Sequence, residues 1–181
     1  MSVEYPQSTS TFKISLSREP EPNSSTLPTA RLVTPRRWDI ALKARYFRHL
    51  RHGGDEEAER LYVWHIEQRS GHRMQQGLPT DLWKRSIDDY VSSSRILFAS
   101  MAKDGFDPRF PVPVDPIERI LGGAHRVACA IALDIKTVPV SHQPQYVWAP
   151  HWGEQWFRDH GMRLPEIERL RQDVDALMTM R

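Results

Sequence analysis

"ERILGGAHRVACAIALDIKTVPV", residues 118–140, links two β-like runs through a glycine pair and an alanine-rich segment. Residues 118–123 read as a short extended piece ending at Gly122 and Gly123. Ala124 to Leu133 is helical by composition, and Val127, Ala128, Ile131 and Ala132 recur at the spacing of one inward face. "KTVPVSHQ" then reads as a last strand. Just upstream, "FPVPVD" predicts another extended segment, joined to "ERILGG" by a tight turn at Asp115-Pro116. Strand, glycine turn, helix, strand is the unit around which the rest is arranged.

Moving outward, "TARLVTP" (29–35) reads as a first short strand stopped by Pro35. A helix is predicted over 37–51, with Ile40, Leu42, Ala44, Phe47 and Leu50 at near-helical spacing and "HGG" as its stop. Asp55 caps the next, whose stripe is Ala58, Leu61, Tyr62, His65 and Ile66; Gly71 closes it and "HRMQQGLPT" is a loop. The clearest helix runs from a Ser86 cap through Ile87, Tyr90, Val91, Ser94, Leu97, Phe98 and Met101 to Gly105. After residue 142 comes an aromatic segment with Tyr146, Trp148, Trp152, Trp156 and Phe157, read as core between the terminal helices and the sheet. A terminal amphipathic helix from Pro165 carries Ile167, Leu170, Val174 and Leu177.

The expected fold is α+β: a small mixed sheet with helices packed against it. Residues 1–28, rich in Pro, Ser and Glu, are expected to form a flexible arm, and 29–181 a single domain. Within that domain, about 55–103 is a helical insertion and about 146–181 a C-terminal helical extension.

The 181 residues suit one domain with an ordinary core. With 25 basic and 23 acidic residues the net charge is +2, too small for a field that gathers nucleic acid. No apolar run approaches the ~20 residues of a membrane span. The first residues lack the apolar centre of a secretory signal, and a cytoplasmic protein is expected. The lone Cys129 excludes a disulfide framework and a cysteine-cluster zinc site. None of the eight histidines stands in the spacing of a zinc-protease helix.

The glycine turn carries the chemistry. A turn feeding a helix N-terminus presents free backbone N–H groups and the positive end of the helix dipole, which suits phosphate. Gly122 and Gly123 let the backbone approach such a ligand closely. Arg126 in the first turn can grip phosphate oxygens in bidentate fashion, and His125 can donate to the same group or polarise it.

An extended segment, "GGAHR", an alanine-rich helix and a "VPV" strand together resemble the ParB/sulfiredoxin-like superfamily, well over residues 106–142 and less clearly at 30–35. The resemblance implies a fold in which the motif helix cradles nucleotide phosphates, with Gly122, Gly123, Ala124, His125 and Arg126 facing them. Sulfiredoxin has its essential cysteine where this chain has Ala124, so sulfinic acid repair is not expected. Partition proteins have arginine in place of His125 and add a DNA-binding domain and dimerisation tail that this chain does not show. The free-serine kinase branch, with a "HR" turn, is closest in motif.

That branch places an acidic residue near the first strand as base, which implies Asp39 here. Lys43, four residues on, shares its helix face and can touch phosphate; an ordinary surface ion pair is the competing reading. Asp115 is second choice, as base or ligand to Mg²⁺, against the simpler role of a turn-forming residue. The expected cofactors are ATP (or ADP or CTP) and Mg²⁺, and the expected partner is a small hydroxylated metabolite: amino acid, sugar or cyclitol. The alternatives are a nucleotide-binding switch or a DNA-associated protein without kinase activity.

Overall fold

The structure is a computed structural model that describes residues 24–75, 84–144 and 151–180. In chain order these residues form β1 (Ser24–Pro28), a 3-10 turn (Thr29–Leu32), α1 (Trp38–His52), α2 (Glu56–Gln75), α3 (Ile87–Asp104) and β2 (Val112–Val114). Then follow α4 (Ala124–Ala132), β3 (Thr137–His142), α5 (Glu154–Asp159) and α6 (Leu164–Thr179). The described residues are therefore α+β, with six helices around a mixed sheet of three strands.

The sheet order is β1-β3-β2. β1 lies antiparallel to β3, Ser24 opposite Ser141 and Pro28 opposite Thr137. β2 lies parallel to β3, Val112 opposite Val140 and Val114 opposite His142. A parallel pair needs a crossover, and α4 supplies it. Val112, Val114, Val138 and Val140 turn their side chains into the core, which they share with Val127, Ala128 and Ile131 of α4. The alanines let α1 pack closely along α4. Arg51 near the end of α1 donates to the Ala132 carbonyl (2.8 Å) and to Asp134 (2.8 Å), fixing the C-terminus of α4.

Several expectations are corrected. Residues 29–35 are not a strand: Thr29 donates from its hydroxyl to the Ile135 carbonyl (2.6 Å), and a 3-10 turn takes Leu32 and Val33 into the core. The edge strand lies earlier, at Ser24–Pro28, inside the expected arm; its Ser-Thr-rich sequence buries Leu27 and shows no apolar alternation. Gly71 does not end α2, which continues to Gln75: a single glycine costs a helix about 1 kcal/mol and does not by itself stop it. "ERILGG" pairs with β2 only at Ile120 opposite Val114. Helices α1, α3, α4 and α6 and strands β2 and β3 lie where the sequence pattern placed them, whereas the short α5 falls in the stretch read only as an aromatic segment. Ser86 makes a full capping box with Asp89, and Gly105 (φ 77°) follows the end of α3. Tyr146, Trp148 and most of the predicted loop at 72–80 fall outside the described residues.

Among the described residues no helix is long and apolar enough to cross a membrane.

Candidate functional site

β2 aims the chain at the glycine turn. Asp115 follows it, fully buried, accepting from the backbone N–H of Ile117 (3.1 Å) and Arg119 (2.8 Å) and from Nε of Arg119 (2.5 Å). Both of its oxygens are thus committed to closing the turn. Among the described residues no group of three or more His, Cys, Asp or Glu side chains is arranged to hold a metal ion.

Beyond Ile120 the chain reaches Gly123, the N-cap of α4, in the left-handed region at φ 76°. No side chain caps the helix. The Arg126 guanidinium folds back over this glycine: a Cβ at position 123 would stand 3.0 Å from its Nη2. Nη1 of Arg126 donates to the carbonyls of Phe110 and of Pro111 (3.2 Å for the latter). No carboxylate among the described residues pairs with it, and burial alone lowers its pKa.

His125 points to the other side of the turn. Its Nε2 shares a hydrogen bond with the Tyr62 hydroxyl (3.0 Å), which also bonds the Ser94 hydroxyl (2.5 Å). Its ring meets Phe47 and Tyr62 edge-on. Burial, then the charges of Lys43, Lys84 and Arg69, hold its pKa well below the ordinary histidine range, so it is neutral at pH 7.

Beneath lies a buried charge cluster built by the first turn of α1. Arg37 grips Asp39 with Nε (2.8 Å) and Nη2 (3.1 Å), and its Nη1 donates to the Ile120 carbonyl (3.0 Å) at the foot of the glycine turn. Lys43 donates to Asp39 from the next helical turn (2.6 Å). Neither Asp39 nor Lys43 is exposed at all. Burial alone would raise the Asp39 pKa, but Arg37 and then Lys43 overcome it and hold the carboxyl far below its usual range. Burial pushes Lys43 down to about 8 against the pull of Asp39. The three residues form a fully enclosed ion-pair cluster, not a surface pair.

Trp152 covers this cluster, with the charged groups of Arg37, Lys43 and Arg69 at 5.2, 5.8 and 5.5 Å from its ring centre. Trp152 is fixed by backbone pairing to Arg36 and Trp38 (2.9 Å each). Gly153 is required beside it, since a Cβ there would lie 2.6 Å from the Pro35 carbonyl. His65, fully buried between Trp152, Trp156 and Phe157, has no hydrogen-bond partner on either ring nitrogen among the described residues.

The fold thus gathers Asp39, Lys43 and His125 into one electrostatic environment and sets Arg126 on the opposite flank of the turn. Asp115 serves the turn itself. Sequence reasoning missed Arg37, Arg69 and Tyr62 as parts of the site. The signal for Arg37 was its place two residues before Asp39 in "RRWD"; for His65 it was a histidine in an otherwise apolar stripe. Cys129 lies in the core with its thiol pKa raised by burial, remote from any thiol chemistry at the turn.

No protein-family model, curated protein or solved structure matches this chain.

Proposed function

We propose that the chain is a nucleotide-dependent phosphotransferase that delivers a phosphoryl group to a hydroxyl of a small metabolite, with the donor phosphates on the turn from Gly122 to Arg126. One observation carries this reading: Arg126 is a half-buried cation that no carboxylate among the described residues pairs with, and it lies over the N-terminus of a helix without a side-chain cap. A phosphate there would exchange the two carbonyls for charge-assisted bonds and would meet the N–H groups of α4.

Phosphoryl transfer asks mainly for positioning and charge stabilisation. Asp39 holds a proton too weakly to be a strong base, and its oxygens are filled by Arg37 and Lys43. It fits the role of anchor, fixing both cations beneath the turn. His125 is neutral and oriented by Tyr62; the burial and cations that lower its pKa oppose proton uptake, so it fits a group that orients or polarises at the turn and not a base. Mg²⁺ would neutralise charge on the phosphates and take most of its ligands from phosphate oxygens and water, as that ion commonly does.

The test is calorimetric titration with ATP, ADP and CTP in the presence of Mg²⁺, beside Arg126→Ala. Micromolar binding that the variant loses, followed by phosphorylation of a hydroxylated metabolite, is the expected result. Binding without turnover would reduce the reading to a nucleotide-binding module. No binding by any of the three would remove it.

A further inference from the structure

The described residues leave a cavity of about 670 Å³ between the C-terminal half of α3 and the loop that follows it. Leu97, Met101, Phe106 and Phe110 supply its apolar lining, exposed Ser100 stands at its rim, and its charged lining is Arg126 together with Asp107, whose carboxylate is held by Arg109. Phe110 is 58% exposed, high for a phenylalanine, with Arg109 stacked at 5.9 Å from its ring centre. With Asp107 neutralised by Arg109, an apolar hollow beside a guanidinium that no carboxylate among the described residues pairs with is complementary to a ligand with a ring at one end and an anion at the other.

The direction of such a ligand follows from β2. Arg126 reaches the carbonyls of Phe110 and Pro111 at the start of this strand, whereas Arg37 reaches Ile120, which bridges Val114 at its end. The two sides are thus separated by a strand of three to four residues, about 10 Å. Resting on the proposed phosphotransfer, the reacting phosphate lies at the N-terminus of α4 between Arg126 and His125, above the enclosed cluster of Arg37, Asp39 and Lys43. The organic end then lies beyond Arg126, in the cavity that Arg126 lines.

We infer that this cavity holds the nucleoside of the nucleotide, its base against Phe110 and its phosphates running from Arg126 across the turn. Helix α3 thereby has a part in donor recognition, and the base is read on apolar surface with Ser100 as the hydroxyl at the rim.

Binding of ATP and of inorganic triphosphate, both with Mg²⁺, separates this inference from the reading beneath it. Wild-type protein should bind ATP about tenfold or more tightly than triphosphate, the scale of one stacked base. Phe110→Ala, which removes an exposed ring, and Ser100→Trp, which fills the cavity from its rim, should each abolish that preference while leaving triphosphate affinity within about twofold. Arg126→Ala should lose both ligands. Equal wild-type affinity for ATP and triphosphate, or an ATP preference that survives both variants, overturns the nucleoside site and leaves the phosphate cradle standing. Failure of the wild type to bind either ligand overturns both.

Discussion

At position 123 the backbone and the ligand grip meet in one residue. Gly123 holds φ 76°, and a methyl group there would strike the Arg126 guanidinium at 3.0 Å. Gly123→Ala therefore carries a left-handed backbone penalty and displaces the arginine. The expected result is a loss of about 1–2 kcal/mol in urea unfolding together with weakened ATP binding. A variant with unchanged stability and affinity would show that neither the conformation nor the placement of Arg126 matters. The requirement for glycine was readable in "GGAHR", because a helix opening straight after two glycines announces a tight approach. The burial of Asp39 was not. A carboxylate four residues before a lysine looks the same in sequence whether it faces water or the core, and only Arg37 and Trp152, brought in by tertiary packing, make the difference. That burial also changes what a substitution reports. Asp39→Asn leaves Arg37 and Lys43 enclosed without a counterion, and a loss of about 3–5 kcal/mol in unfolding free energy is expected. Lost turnover in this variant would accordingly not identify a base unless stability were measured alongside. A loss below about 1 kcal/mol would mean that the enclosed charges do not depend on Asp39.

Elements whose ends are written in local chemistry were legible; those defined by a partner were not. Helix α3 begins at a serine that exchanges hydrogen bonds with Asp89 and stops before a left-handed glycine, so both limits follow from its own residues. Ser86→Ala removes the side-chain acceptor for the Asp89 N–H (3.1 Å) and should cost about 1 kcal/mol. The thermal midpoint of the variant checks this, and Ser86→Thr should restore most of the loss. Because α3 forms one wall of the cavity, fraying at its capped end should not touch nucleotide affinity, whereas changes near Ser100 should. β1 is the opposite case. Ser24–Pro28 has little strand propensity of its own and is extended because β3 offers it a ladder from Ser141 to Thr137. Segment composition therefore assigned it to a flexible arm and moved the strand onto "TARLV", whose apolar residues are buried from a 3-10 turn. The central unit of β2, α4 and β3 was recovered because periodicity, glycine chemistry and crossover length all favour the same arrangement.

Across the molecule, the packing of histidine against cations sets how the fold responds to acid. His65 is fully enclosed among aromatic rings, and among the described residues neither ring nitrogen has a hydrogen-bond partner. Burial first, then Lys43, Arg69 and Arg37, hold its pKa well below the ordinary value, and Asp39 offsets this only in part. In the unfolded chain the same ring titrates near its ordinary pKa of about 6.5. Below that pH the unfolded state takes up a proton that the folded state refuses, so stability falls as pH drops; above it, both states are neutral and the contribution is constant. The slope for this one ring cannot exceed about 1.4 kcal/mol per pH unit. A second decline follows at lower pH. Glu166 of α6, gripped by Arg163 and Arg60 strongly enough to outweigh its burial, is pushed down to about 2, so its contribution is lost between its ordinary value of 4.5 and about 2. Urea midpoints measured from pH 8 to pH 2 should stay level to about 7 and then fall. His65→Phe, which keeps an aromatic ring and removes the ionisable group, should make the fall between about 6.5 and 5 shallower, leaving the share due to His125 and the acidic limb in place. An identical slope in the variant would mean that protonation of His65 is not what the folded state resists, and an unchanged midpoint down to pH 5 in the wild type would remove the charge cluster as the cause.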